Sequence, residues 1–593
     1  MQSFGAAPPE LGVSFAEASP RQSHDVLESP VDFEAVTPGT SLQLNFGVAG
    51  YQSMASKDSG SKGNSRAAHF LRNLSLVVLS LVLLPADLFA ALGAYLWHRL
   101  TSGSPTKLQD ADKKITVLVT GVNMAKGLSL ARLFHRRGHR VIGADCHSLS
   151  PGRLSCAVDA YHRLPQPSDP SKTSLNDRYL NKLLEIVRAE GVDLWVSVSD
   201  VNAAIEDAAV KEIIEARTGA KAVQFGVEDI RRFHEKDSFI EHTKSLGLTT
   251  PTTETVGDKE EVIAFLREHG GLEHKNGARQ YLVKPVGVDD VARFAMPLLP
   301  LSSEGATLTR VNSIPFKTAK CSFIVQEFIT GPEFCTHALV IRGRVCAFVA
   351  CRSADVLMHY AALPADSPLS KAMLEFTIKQ ATASGEGFTG HLSFDFLIHR
   401  EDEDGTKSGA EKEVAIYPIE CNPRVHTATL LFNNTPEIVG EYLSVLSVSE
   451  APKSLSTPPL TPSNPQRYYW ISQDLIESLL HPLYMTFFRG TMSITEFRSS
   501  AMSFAEHLLY WKDGTFEAWD PLPWLWTIHV YWPIQFACCA KGVILSPANT
   551  PFTKASPMNS PKAHLSLLCD EEASAQGGGL DQDVKLPRRL SRL

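Results

Sequence analysis

Tyr417–Thr427 reads YPIECNPRVHT. Between Glu420 and His426 stand an acid, an amide, a proline, an arginine and a histidine. Read as a strand end, the run has a simple geometry. Side chains alternate, so Glu420 and Asn422 point to one face and Cys421 to the other. Pro423 then ends the strand, because it has no N–H to give a ladder. A surface turn has no use for a carboxylate, a carboxamide and a guanidinium in this order. Hard oxygen donors beside a fork of N–H donors suit a divalent cation and the phosphate that it carries.

The strand before it, GHLSFDFLIHR (residues 390–400), holds Asp395 between Phe394 and Phe396. On a strand the acid points away from both rings, and a buried carboxylate needs a cationic partner. Asp395, Glu420 and Asn422 are therefore expected on neighbouring strand ends, as oxygen ligands for Mg²⁺ or Mn²⁺. Arg424 continues on that face and could clamp a transferring phosphoryl oxygen. Two earlier strands add to the set. QYLVKPV (residues 280–286) puts Lys284 at the end of an apolar run, either snorkelling at a rim or holding an anion. FIVQEFITGPEF (residues 323–334) ends a strand at Gln326-Glu327, turns at Gly331 and reopens at Glu333.

Composition excludes several classes. The chain has 593 residues, a net charge of −8 and a pI near 6.2. A nucleic-acid binder normally carries a basic domain, and no basic block is present. Ten cysteines without a C-x-x-C pair fit a reducing compartment with mostly free thiols, rather than a disulfide scaffold or a zinc site.

Along the chain, residues 1–65 are polar and read as disordered. Residues 74–97, LSLVVLSLVLLPADLFAALGAYLW, are long and apolar enough to cross a bilayer. Pro85 and Asp87 interrupt them, so the competing form is a hairpin of two short helices broken at Pro85. Residues 114–225 alternate strand and helix, which predicts a parallel sheet in a Rossmann-like domain. Strands dominate from about 280 onward, with VIRGRVCAF as a hairpin turning at Arg342-Gly343-Arg344. The stretch 399–413 is a charged loop, and 450–465 a proline-rich linker. Residues 466–545 are helical and aromatic, but Pro521, Pro523 and Pro533 are expected to interrupt the last part. That segment is expected on the core or at a membrane surface. Residues 546–593 read as a disordered tail.

TGVNMAKGLSLAR, after the first strand, is no dinucleotide fingerprint. Asn123 stands where the middle glycine of G-x-G-x-x-G must be, although Asp145 ends the second strand as a ribose acid would. A P-loop is absent as well. What is left is a strand–turn–helix whose N-terminal amides could face an anionic ligand.

Taken in order, the lysine strand, Q-E-x-x-x-G-x-E, F-D-F and E-C-N-P-R closely resemble the ATP-grasp superfamily, over roughly residues 114–450. The resemblance implies an α/β and α+β chain: a Rossmann-like pre-ATP-grasp domain (114–225), then a two-lobed ATP-grasp domain (226–450). An N-terminal hydrophobic segment (74–97) and a helical extension (466–545) flank them. It implies ATP and Mg²⁺ as cofactors. Lys236, in HEKDSF, would be the first nucleotide lysine and Lys284 the second. Gln326, Glu327 and Ile329 would form the adenine hinge and Glu333 the ribose acid. Asp395, Glu420 and Asn422 would be the metal ligands and Arg424 the catalytic arginine. His426 would either start a helix or contact substrate. Many family members have a glycine-rich phosphate loop after the second lysine. Here that stretch reads KPVGVDDVARF, and Arg293 is its candidate replacement over the γ-phosphate.

The activity so implied joins a small-molecule carboxylate to an amine through an acyl-phosphate. The alternatives are a carbamoyl-phosphate-synthase-like reaction on bicarbonate and a non-catalytic, membrane-tethered nucleotide-binding scaffold. A polar N-terminus, an apolar anchor and an aromatic extension together resemble ATP-grasp proteins of fungal secondary-metabolite pathways. Membrane association through 74–97, with the ATP-using part in the cytosol, completes the expectation.

Overall fold

The computed structural model describes residues 62–102, 114–167, 177–198, 203–275, 279–286, 298–314, 316, 323–353, 358–399, 414–447 and 457–540. Arg293, the charged stretch from residue 400 to 413 and both expected disordered ends, up to residue 61 and from 546, lie outside them.

Five short strands come first: β1 (Thr116–Thr120), β2 (Arg140–Asp145), β3 (Ala160–Arg163), β4 (Leu194–Val196) and β5 (Lys221–Val223). They pair in parallel in the order β3-β2-β1-β4-β5. Val117, Leu118, Val119, Leu194, Trp195 and Val196 are all sealed from solvent. A parallel sheet with helices on both faces requires such continuous apolar runs. The strand order reverses between β1 and β4, where Gly121 has φ +70°. A Cβ on Gly121 would stand 2.5 Å from the Val198 oxygen, and one on Gly127 would stand 2.3 Å from the Gly121 oxygen. Only glycine allows the following helix, Ala125–Arg136, to fold back so closely. β4 is shorter than the apolar run from Val192 suggests. The chain leaves the ladder because the Val198 N–H goes to the Thr120 hydroxyl, at 3.3 Å.

Two antiparallel sheets follow. In the first, β6 (Thr253–Val256), β7 (Tyr281–Pro285), β8 (Leu298–Leu299) and β9 (Phe323–Glu327) run in the order β6-β9-β7-β8. Tyr281, Val283, Phe323 and Val325 share a core with Val262, Phe265 and Leu266 of the helix Lys259–Glu268. Alternation therefore puts Lys284 and Gln326 on the opposite face.

In the second, β10 (Glu333–Ile341), β11 (Arg344–Arg352), β12 (Gly390–Ile398) and β13 (Ile416–Asn422) run in the order β11-β10-β12-β13. The β10–β11 hairpin turns at Arg342 and Gly343 as expected, both with positive φ. One face of this sheet (Phe334, Leu392, Phe394, Phe396) packs on Phe233, Phe239, Phe376 and Phe388. The other face (Cys335, Leu339, Ile341) shares a core with Val117 and Val119 of the parallel sheet. The fold class is thus the expected one: a parallel α/β sheet, then two α+β lobes, with an apolar helix before them and helices after them.

The apolar segment is one unbroken helix, Lys62–Ser102, with Pro85 inside it. The hairpin broken at Pro85 does not form. Within it Phe70–Thr101 is apolar enough to cross a membrane by length and composition. Asn73, Ser80 and Ala91 are buried, and Asp87 falls on the same stripe at helical spacing. Leu81, Val82, Phe89, Trp97 and Leu100 are exposed.

What covers the stripe comes from the other end of the chain. Leu522–Trp526, a π-helical turn at Thr527–Tyr531 and Trp532–Ala540 form one helical run. The expected interruption by prolines does not occur. Pro521 and Pro523 sit at the helix start, where a missing N–H costs nothing, and Pro533 follows the wider π turn. The Ser80 hydroxyl donates to the Ile528 carbonyl at 3.0 Å. His529 Nδ1 lies 3.0 Å from the Ser80 carbonyl, and its Nε2 lies 3.0 Å from Asp87 Oδ2. The acid that looked misplaced in an apolar helix is paired.

A buried ion pair holds the extension to the parallel-sheet domain. Arg132 Nε lies 2.9 Å from Asp520 Oδ2, and both side chains are sealed from solvent. Arg132 also donates to the carbonyls of Thr515 and Asp520, and Ser155 and the Cys156 N–H donate to the Asp520 carboxylate.

Candidate functional site

Asp395 of β12 pairs directly with Glu420 of β13, and Ser393 with Asn422. Directly opposed residues share a sheet face, so the three expected oxygen donors meet there. The Asn422 amide donates to Asp395 Oδ2 at 2.9 Å. Cys421 is opposite Phe394 and buried in the phenylalanine core, as alternation predicts. One element was not legible. Asp395 pairs with Glu420 but Phe396 pairs with Pro418, which leaves Ile419 as a bulge. The bulge puts Pro418 under the aromatic core while Glu420 keeps to the polar face.

Pro423 ends β13 as expected. The Arg424 N–H donates to the Asn422 carbonyl at 2.8 Å, closing a tight turn about the proline. The Val425 carbonyl then accepts from Lys126 Nζ at 2.8 Å. Lys126 lies in the first turn of the helix Ala125–Arg136 that follows β1, so the parallel sheet's switch point touches the segment after β13. His426 accepts from the Ala428 N–H through Nδ1 and caps the 3₁₀ turn Thr427–Phe432. Of the two roles open for His426, helix start is the one it fills.

Helices Val227–His234 and Lys236–Ser245 meet in front of this strand end. His234, at their junction, is pushed down to about 4. Burial is the main cause; the Arg424 and Lys236 charges add to it and Glu420 opposes them. Lys236, Arg424 and Glu420 thus surround one neutral histidine. Sequence reading chose Lys236 from HEKDSF and passed over His234 just before it, because a histidine beside a helix break carries no spacing signal. Lys126 likewise carries no signal of its own in TGVNMAKGLSLAR, where the glycine spacing dominates.

On the first antiparallel sheet, Lys284 Nζ donates to Gln326 Oε1 at 2.8 Å, on the face away from the helices. Gln326 in turn donates to Thr253 Oγ1 at 3.2 Å. The Glu327 carboxylate accepts from the Thr252 hydroxyl at 2.7 Å and lies 3.4 Å from Arg279 Nε. The Glu327 and Phe328 amides donate to the Thr252 and Gln280 carbonyls. Much of the expected hinge is therefore engaged in holding the two strands' ends together. Among the described residues the buried Ile329 amide has no partner. Glu333 opens β10 on the face that carries Asp395, and its carboxylate accepts from the Ser353 hydroxyl at 2.8 Å.

The donor set fits a hard divalent cation. Two carboxylates opposed across a strand pair repel each other unless a cation lies between them. A third oxygen, that of Asn422, completes a face of donors of the kind that Mg²⁺ prefers. At the turn after β1 the carboxylate that ends β2 is engaged locally. Asp145 accepts from the Asn123 and His147 amides, at 2.8 and 2.9 Å, and so braces its own turn.

No family model matches the sequence, and no curated protein matches it. Among solved structures, the chain is similar to N5-carboxyaminoimidazole synthetase from Staphylococcus aureus complexed with ADP. The TM-score is 0.40 at 13% identity, over 58% of this chain and 80% of that one. For biotin carboxylase from Campylobacter jejuni the TM-score is 0.42 at 14% identity, covering 59% and 74%. For L-amino acid ligase from Bacillus licheniformis it is 0.39 at 13% identity, covering 60% and 78%. At such identities what the chain does must be read from its own side chains.

Proposed function

We propose that the chain is an ATP- and Mg²⁺-dependent, ADP-forming ligase of the ATP-grasp kind. It would activate a small-molecule carboxylate as an acyl-phosphate and pass the acyl group to an amine. The observation that carries this reading is the meeting of Asp395, Glu420 and Asn422 on one sheet face, beside Arg424, Lys236 and a neutral His234. Bound Mg²⁺ would supply charge neutralisation for the transferring phosphoryl group. Asp395 and Glu420 would hold it, with the Asn422 oxygen as a third ligand. Lys284, kept extended by Gln326, would hold the α/β-phosphates, and Lys236 would add a second positive charge. The Ile329 amide, with Gln326 and Glu327, would read the base edge, and Glu333 the ribose. Arg424, fixed by the turn about Pro423, would neutralise charge on the acyl-phosphate transition state. Arg293 remains the candidate for covering the γ-phosphate.

The division at 114–225, 226–450 and 466–545 is proposed with this reading. So is membrane association through Phe70–Thr101, with the ATP-using part in the cytosol. Secondary metabolism as the setting is supported by the resemblance in chain layout alone.

The test is ADP release by the full chain in detergent, against a panel of carboxylates and amines. ADP formed only when both are present supports the ligase. ADP formed with bicarbonate alone favours the carbamoyl-phosphate-like reaction. Nucleotide binding without turnover on any pair favours the scaffold.

A further inference from the structure

Away from the strand ends, two histidines and an aspartate converge from three elements. His359 lies in the segment after β11, Asp474 ends the helix Ile471–Asp474, and His507 lies near the end of the helix Ile494–Tyr510. Their ligand atoms all lie within 4.8 Å of one another. His359 Nε2 stands 3.3 Å from Asp474 Oδ1, and His507 Nδ1 stands 2.8 Å from Asp474 Oδ2. The two imidazole rings are 4.4 Å apart, and Trp511 closes one side at 5.2 and 4.8 Å from them. Asp474 is 1% exposed. The Ser478 hydroxyl donates to Asp474 Oδ1, the oxygen that faces His359, at 2.8 Å.

Two details separate this cluster from an ordinary hydrogen-bonded triad. His359 Nε2 is buried and has no hydrogen-bond partner among the described residues, although it faces the carboxylate. Its 3.3 Å spacing from Oδ1 matches that of two ligands on one tetrahedral zinc, which stand roughly 3.4 Å apart when each bond is about 2.1 Å. The donors are imidazole and carboxylate, which suit a borderline transition metal, whereas Mg²⁺ wants oxygen throughout.

We infer that His359, Asp474 and His507 form a site for Zn²⁺, distinct from the Asp395–Glu420–Asn422 cluster, with water as the fourth ligand. The cysteine pattern gave no sign of it because none of its donors is cysteine. The ion ties the C-terminal extension to the central sheet. His359 precedes Tyr360, which packs on His426 at 5.8 Å and pairs through its main chain with Tyr468. A metal clip closing so long a loop stabilises the folded chain and fixes the segment after β13. The inference does not depend on the proposed ligase activity.

The full chain, purified in detergent without added metal, is tested by elemental analysis. One zinc per chain is expected, retained in Glu420→Gln and lost in His359→Ala, His507→Ala and Asp474→Asn. Chain stripped of metal should then take up Co²⁺ with the visible absorption of a four-coordinate ion, be displaced by Zn²⁺ and ignore Mg²⁺. Its melting temperature should rise by several degrees with Zn²⁺. That titration uses the unaltered sequence, so it stands even if a variant fails to fold. Zinc at equal levels in all variants, or no uptake of Co²⁺ or Zn²⁺ by the stripped chain, overturns the inference.

Discussion

Two acids in this chain stand where an unpaired charge would be costly, and they are managed in opposite ways. Asp395 is set beside a second carboxylate, Glu420, on the neighbouring strand. Asp87, in an otherwise apolar helix, is set against one histidine, His529, 442 residues away in sequence. The second arrangement is a finished pair that quiets a charge. The first gathers negative charge on one sheet face, which under the proposed function is what a cation would neutralise.

The largest expected effect tests the first half of that contrast. Under the proposed function, Glu420→Gln or Asp395→Asn should lower turnover by about 10³-fold, with unchanged circular dichroism, because the interactions lost would be those that stabilise developing charge. A variant with full turnover would remove these residues from the site. The second half comes next. His529→Leu alone should destabilise the detergent-solubilised chain by about 3 kcal/mol, since it leaves a carboxylate unpaired among apolar groups. Adding Asp87→Leu should restore most of the loss in thermal unfolding. An additive double variant would show that the two side chains do not act as a pair.

A smaller effect concerns acid. His234 is held at about 4 against an ordinary 6.5, chiefly by burial. The unfolded chain therefore takes up this proton first. Its contribution to stability is complete above pH 6.5 and is lost as the pH falls toward 4. Denaturation in urea at pH 7 and 5 should show a drop of roughly 2 kcal/mol from this residue. His391 and His426, both pushed down to about 3 mainly by burial, with the Lys126 charge lowering both and that of Arg424 also lowering His426, act in the same direction. His234→Gln should flatten the dependence; an unchanged slope would mean that His234 is not buried as described. The smallest effect is that of Pro533→Ala, which should shift stability by no more than about 0.5 kcal/mol, because the π turn already accommodates the proline.

The contrast also explains what could be read in advance. The donors at the strand ends were legible because alternation is local: Glu420, Cys421 and Asn422 sort themselves onto faces whatever lies around them. The core strands and the β10–β11 hairpin were legible because apolar runs and turn residues are local signals too. The bulge at Ile419 was not, since it depends on how β12 and β13 align. Pro533 was read as a break, and Pro85 as the break of the competing hairpin, because each removes a local hydrogen bond; both lie inside helical runs that pack on each other. The Asp87–His529 pair and the His359–Asp474–His507 cluster join residues with no common period, so no pattern in the sequence points to them. His234 and Lys126 matter through the partners that the fold brings to them.

The central claim is that Asp395 and Glu420 hold the metal of a bound nucleotide. Titrating Mn²⁺ into the full chain with saturating ADP, followed by electron paramagnetic resonance, tests it without knowledge of the substrates. Nucleotide-dependent Mn²⁺ binding in the unaltered chain, weakened by about 100-fold or more in Glu420→Gln and unaffected in His359→Ala, is the predicted result; the 100-fold figure corresponds to about 2.7 kcal/mol. Equal Mn²⁺ affinity in the unaltered chain and Glu420→Gln would contradict it.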